Sequence, residues 1–90
     1  MNLPKEFEFE VTAADIRKGI RHAECFCPMA LALYRHLGRS PSADYGVSVD
    51  AHRLLIEGEA YHARGQKTFV HNFDNGKPVQ PRKFKAVRVR

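Results

Sequence analysis

CFCPMALALYRHLG, residues 25–38, is the stretch that decides the fold. Pro28 suits the first turn of a helix, where its missing backbone N–H leaves no hydrogen bond unmade. Gly38 favours the end of a helix, and the basic residues just before it complement the helix dipole. Apolar side chains spaced three and four residues apart give this helix one buried face: Ala30, Leu33, Tyr34 and Leu37. The pattern predicts a central helix against which the rest of the chain packs.

The composition is that of one globular domain covering residues 1–90. The chain is 43% hydrophobic and 28% charged, and this balance argues against a disordered chain. No apolar run approaches the roughly 20 residues that cross a bilayer, and the first residues lack the apolar segment of a signal peptide. Two cysteines do not make a disulfide framework. We therefore expect a protein of the cytoplasm.

Positive charge is concentrated near the C-terminal end. The net charge is +5, and residues 77–90 contain no acidic residue. The basic residues in this segment are Lys77, Arg82, Lys83, Lys85, Arg88 and Arg90. Residues 81–90 are therefore predicted to form a basic strand, which either contacts a polyanion or pairs with an acidic strand of the same chain.

The acidic strand is found at the other end of the chain. Glu6, Glu8 and Glu10 alternate with Phe7, Phe9 and Val11, which predicts a half-buried strand. Opposite charges on neighbouring strands stabilise their pairing. We expect the first and last strands to pair, in antiparallel orientation. Val87 and Val89 are out of phase with Phe84 and Ala86, which predicts a bulge or an edge position for the last strand.

The remaining elements complete an α+β domain. Thr12 and Asp15 form a capping-box pattern before a short helix over residues 13–18. Residues 46–50 and 53–58 are predicted to form a hairpin, and residues 61–75 a third helix. The predicted order is β-α-α-β-β-α-β, with a mainly antiparallel sheet and the helices packed on one of its faces.

With these elements in place, the chain resembles a family of small proteins encoded by bacteriophages and prophages. The pattern of that family is T-x-x-D-I-x-x-G, then C-P-x-A-L-A, then F-D-x-G-x-x-V-x-P-x-x-F. It is carried here by Thr12, Asp15, Ile16 and Gly19, by Cys27, Pro28, Ala30, Leu31 and Ala32, and by Phe73, Asp74, Gly76, Val79, Pro81 and Phe84. The resemblance implies a phage or prophage accessory protein that works in the bacterial cytoplasm. It brings no established active site.

The start of the central helix is the first candidate binding site. Unpaired N–H groups and the helix dipole make such a position receptive to phosphate. The residues expected to bind phosphate there are Arg17, Lys18, Arg21, His22 and Cys27. The alternative is an ordinary solvated turn in which Cys27 or a neighbour caps the helix.

The cysteines suggest two other kinds of site. One is a zinc site formed by His22, Cys25 and Cys27, with His36 or a distant histidine as a fourth ligand, but C-x-C is not the usual zinc-knuckle spacing and no second pair follows. Cys27 at a helix start, beside basic residues, suggests a nucleophile with a lowered pKa, but no catalytic order of residues accompanies it. We expect a protein that is not an enzyme and holds neither metal nor cofactor.

Two tyrosines flanking the predicted hairpin, Tyr45 and Tyr61, are the exposed aromatic candidates for stacking a nucleobase. The favoured hypothesis is an anti-defence protein that binds an anionic ligand, such as a cyclic nucleotide used as an immune signal by the host, in a homo-oligomer. The alternative is a protein that binds nucleic acid or a nuclease complex, as anti-CRISPR proteins do. Its polyanion contacts would be Arg82, Lys83, Lys85, Arg88 and Arg90. A third hypothesis is a protein-binding module that uses an exposed strand edge.

Overall fold

A computed structural model describes residues 3–42 and 46–89. The elements in these ranges are β1 (Glu6–Val11), α1 (Ala13–Lys18), α2 (Pro28–His36), β2 (Val47–Val49), β3 (Leu54–Ile56), β4 (Glu59–Ala63), α3 (Gln66–Asp74) and β5 (Arg82–Arg88). The predicted α+β class is confirmed. The predicted order is present, with β4 as one further strand before α3.

One antiparallel sheet contains all of these strands, in the order β1-β5-β4-β3-β2. The predicted pairing of the first and last strands is confirmed. Glu8 lies opposite Lys85 and Glu10 lies opposite Lys83, and Lys85 Nζ is 3.3 Å from Glu6 Oε1. Much of the C-terminal basic charge is therefore placed beside acidic side chains of the same sheet.

The last strand is an interior strand without a bulge, so the expectation drawn from Val87 and Val89 is wrong. From Glu6 to Val11, each residue of β1 faces one residue of β5 in a continuous register. Val87 and Val89 are exposed because one face of the sheet, here called the outer face, has no helix packed on it among the described residues. Their apolar character does not signal an inner position.

The inner face carries the core and the helices. Phe9 of β1 stacks on Phe84 of β5 with ring centroids 5.7 Å apart, and Phe69 of α3 meets the same ring edge-on at 5.4 Å. The α2 side chains Met29, Leu33 and Tyr34 are fully buried. The amphipathic pattern of residues 25–38 therefore identifies the helix that covers the sheet.

The short helix α1 is fixed to α2 by one carboxylate. Asp15 Oδ2 accepts the Thr12 N–H at 2.8 Å, and Thr12 Oγ1 accepts the Asp15 N–H at 3.3 Å, so the predicted capping box is confirmed. Arg35 of α2 donates to both oxygens of Asp15, at 2.7 and 2.9 Å. This bidentate pair ties the start of α1 to the end of α2.

The prediction of a helix over residues 61–75 is wrong in its first part. Glu57 and Gly58 both have positive φ, 50° and 87°, as a tight hairpin turn requires, and the chain returns as β4. Gly65, with φ 85°, then begins α3 as its N-cap. Gln66 is buried and links the strand to the helix: its Oε1 accepts the Ala63 N–H and its Nε2 donates to the Asp50 carbonyl.

Candidate functional site

The loop between α1 and α2 is held in place by hydrogen bonds within the loop, to β2 and to the end of α3. The Ile20 N–H donates to the Phe26 carbonyl at 2.9 Å, and the Val49 N–H of β2 donates to the Glu24 carbonyl at 2.9 Å. On the opposite side, the His22 N–H donates to Asp74 Oδ1 at 3.0 Å. These bonds hold a loop of irregular structure in a defined position between β2 and the end of α3.

His22 and Arg21 lie at the tip of this loop, with exposed side chains. His22 has a φ of 59°, a left-handed conformation that is uncommon outside glycine and often found at functional sites. Its Nδ1 is 3.8 Å from Asp74 Oδ2. The Arg21 guanidinium lies against Gly76, where an added Cβ would be 3.2 Å from Nη2.

The exposed basic residues of this loop and of the two segments beside it are here called the loop surface. It consists of Arg17 and Lys18 from the last turn of α1, Arg21 and His22 from the loop, and Lys77 one residue beyond Gly76. Asp74 partly offsets this charge, and it ion-pairs with His22 when the imidazole is protonated. The residues named for the loop surface therefore carry four permanent positive charges, and Asp74 and the exposed Glu24 of the same loop carry negative charges.

The start of α2 is not part of that surface. Pro28, Met29 and Ala30 are buried, and Gly19 packs so closely that an added Cβ would be 2.5 Å from Pro28 Cδ. The expectation that helix N–H groups and basic side chains together surround a phosphate does not fit this burial. The basic side chains are exposed to solvent, whereas the start of α2 is covered by the preceding segment around Gly19.

Cys27 is the N-cap of α2 and is buried. Burial raises the pKa of its thiol to about 11, more than the nearby N–H groups of Met29 and Ala30 lower it. The lowered pKa that a nucleophile would need is therefore not found. Among residues 3–42 and 46–89, no group of three His, Cys, Asp or Glu side chains is arranged to hold a metal, and His36 instead stacks on Phe7 with centroids 4.8 Å apart.

The two cysteines are expected to differ in reactivity toward a thiol reagent such as 5,5′-dithiobis(2-nitrobenzoate). Cys25 is half-buried and Cys27 is buried with a raised pKa. Because the thiolate is the reactive form, Cys25 should react in the native protein, and Cys27 should react only when the chain unfolds. Mass spectrometry of the labelled chain, with Cys25→Ser as control, measures this. Equal labelling of both thiols in the native state would contradict the burial of Cys27.

Tyr61 is not exposed, so the expectation that it stacks a base is wrong. It is fully buried on the inner face, where its hydroxyl donates to the Pro4 carbonyl at 2.5 Å and its ring meets Phe7 edge-on at 5.3 Å. Its place in β4 rather than in a helix explains this burial, because alternate residues of the strand face the core. Tyr45 lies outside the described residues.

The predicted polyanion contacts are divided between the two faces of the sheet. Arg88 donates to the Leu3 carbonyl at 2.8 Å, and its Nε is 3.6 Å from Glu59 Oε2. The Arg82 guanidinium lies 4.3 Å from the centre of the Phe84 ring, beside Gly65. Lys83 and Lys85 are exposed on the outer face. Arg90 lies outside the described residues.

The sheet brings further basic side chains to Lys83 and Lys85. His62 of β4 lies directly opposite Val87 of β5 on the outer face, and the exposed Arg64 follows β4. Sequence reasoning missed His62 and Arg64 because it assigned them to a helix. It did not predict that Arg21 lies against Gly76, next to Lys77, because these residues are far apart in the chain and no local pattern links them.

No helix among the described residues is both long and apolar enough to cross a membrane. Comparison of the chain with protein-family models, curated proteins and solved structures finds no match.

Proposed function

We propose that the chain is a non-enzymatic accessory protein of a phage or prophage that binds an anionic ligand at the loop surface. The observation that supports the proposal is the hydrogen bond that the His22 N–H donates to Asp74 Oδ1. It joins two distant segments, and the Arg21 guanidinium lies against Gly76, the residue before the exposed Lys77. Clustered cations in a fixed loop attract phosphate without first having to be ordered.

More specifically, we propose an anti-defence role in which the anionic ligand is a nucleotide signal of the host. A cyclic di- or oligonucleotide carries two or more phosphates, and these match cations spread over several residues. A single domain of 90 residues encloses little of such a ligand. We therefore propose a homo-oligomer that surrounds the nucleotide with loop surfaces of neighbouring copies.

Calorimetric titration tests the proposal, with inorganic pyrophosphate and a panel of cyclic di- and oligonucleotides as ligands. Binding is expected, and replacing Arg21 and Lys77 together with alanine should weaken it at least about tenfold, since each charged contact contributes about 1.5 kcal/mol or more. Lys67→Ala is the matched control. Lys67 is exposed in the first turn of α3, about 10 Å along the helix axis from its last residue, Asp74.

Two results would contradict the proposal. One is the absence of heat with every ligand of the panel. The other is the same loss of binding free energy per removed charge in Lys67→Ala and in the double variant, which would indicate attraction by net charge and not by the loop surface.

A second candidate is contact with nucleic acid or a nuclease complex through the outer face. The observation that favours it is the register that places His62 beside β5 on the face carrying Lys83 and Lys85. The nearby Glu8 and Glu10, which lie opposite these lysines, count against it. A steep fall of affinity for a DNA or RNA oligonucleotide with rising salt, lessened in Lys83→Ala/Lys85→Ala, would favour this candidate.

A further inference from the structure

The outward edge of β1 is a surface that neither proposed function uses. β1 is the first strand of the sheet, and no strand of residues 3–42 and 46–89 pairs with its other edge. The Arg88 N–H donates to the Lys5 carbonyl at 2.8 Å. Because hydrogen-bonded and non-hydrogen-bonded pairs alternate in an antiparallel ladder, Glu6, Glu8 and Glu10 direct their backbone groups away from β5.

A side chain confirms this direction. Arg35 Nη2 donates to the Glu10 carbonyl at 2.6 Å from the outward side. Within the described part of the chain, the N–H groups of all three glutamates and the carbonyls of Glu6 and Glu8 have no protein partner. The opposite edge of the sheet differs, because the Val49 N–H of β2 donates to the Glu24 carbonyl.

The side chains of the same residues restrict what can pair there. Glu6, Glu8 and Glu10 are exposed on the outer face. A second copy of β1 added in antiparallel orientation about Glu8 would place carboxylate opposite carboxylate, which is destabilising. A strand with basic side chains has the complementary charge. The same pairing of acidic and basic side chains already occurs on the other edge of β1, where β5 places Lys85 opposite Glu8 and Lys83 opposite Glu10.

We propose that the edge of β1 binds an extended basic segment of a partner protein as a sixth, antiparallel strand. Lysine or arginine at alternate positions of that segment would lie beside the glutamates, and backbone hydrogen bonds would supply the affinity. The residues between them would face the inner side, next to the half-buried Phe7 and the His36 ring that stacks on it. The partner segment therefore alternates basic and small apolar or hydroxyl residues.

The test is an NMR titration of the whole ¹⁵N-labelled chain with an acetylated, amidated peptide, KTKVKTK. The amides of Glu6, Glu8 and Glu10 should shift and should exchange with solvent at least about tenfold more slowly. A peptide N-methylated at its lysine backbone nitrogens keeps the charge but cannot donate to the edge. It should bind at least about tenfold more weakly, and so should the acidic peptide ETEVETE.

Matched variants separate the edge from general charge attraction. Glu8→Gln should weaken peptide binding severalfold, whereas Glu24→Gln, at the far edge of the sheet, should leave it unchanged. Equal binding of the N-methylated and parent peptides would overturn the proposal, as would shifts confined to residues outside β1. A dimer in sedimentation experiments, together with slow exchange of the Glu6, Glu8 and Glu10 amides in the absence of peptide, would overturn it in favour of a second copy.

Discussion

Replacing Gly19 with alanine is expected to lower the free energy of unfolding by about 3 kcal/mol, the upper end of the usual cost of overpacking. An added Cβ would lie 2.5 Å from Pro28 Cδ and 2.8 Å from its backbone nitrogen. Neither atom belongs to a flexible side chain, so the loop or the start of α2 must move. Chemical denaturation measures the change, and the melting temperature should fall by more than about 10 °C.

Gly58→Ala is the control for this prediction, because it separates steric contact from backbone conformation. Gly58 has a φ of 87° and no heavy atom within 4 Å of an added Cβ. Its replacement should cost about 1 kcal/mol, the strain of a left-handed alanine. If Gly19→Ala costs no more than Gly58→Ala, the close packing of the loop on Pro28 is not as described.

Replacing Asp15 with alanine is expected to destabilise the protein by about 3 kcal/mol, from the lost cap and the lost charged hydrogen bonds. Asp15 is buried, accepts the Thr12 N–H and binds Arg35 through both oxygens. Arg35 is half exposed, so its guanidinium regains water when the partner is removed. Thr12→Ala, which removes only one side of the capping box, should cost about 1 kcal/mol. An equal cost for both variants would contradict the importance assigned to the Arg35 pair.

This pair also predicts a dependence of stability on pH. Burial raises the pKa of Asp15, but hydrogen bonds from Arg35 and Thr12 and the charge of Arg35 outweigh it, so the folded pKa is lowered. The stabilisation is therefore complete above the unfolded pKa of about 3.9 and is lost as pH falls through the folded value. The free energies of unfolding of the wild type and of Asp15→Asn, measured with urea, should differ most at neutral pH. A difference that grows on acidification would contradict the pairing.

Local rules were sufficient wherever neighbouring residues determine the structure. The capping box at Thr12 depends on residues three positions apart. The pairing of β1 with β5 joins the two ends of the chain, but each strand carries its own alternating charge pattern, and the two patterns are complementary. The residue pattern did not predict strand β4, because the signal for it lies in the preceding turn at Glu57 and Gly58. Glu57 takes up a positive φ that only the following glycine suggests, so Tyr61 was assigned to a helix.

The candidate site was only partly predictable. The basic residues of the loop are evident in the sequence, and their exposure follows from their charge. The burial of the start of α2 depends on how Gly19 packs against Pro28, and the contact of Arg21 with Gly76 accompanies a hydrogen bond between His22 and Asp74. Such contacts between distant residues leave no periodic trace in one sequence.

An NMR titration with pyrophosphate, followed by a cyclic dinucleotide, tests the central claim most directly. The claim predicts amide shifts concentrated at residues 17–22 and 74–77, the two segments that the His22–Asp74 hydrogen bond joins. The same titration of an Arg21→Ala/Lys77→Ala variant should show those shifts lost while the rest of the spectrum is unchanged. Shifts centred on His62, Lys83 and Lys85 instead, or no shifts at all, would contradict an anion site on the loop surface.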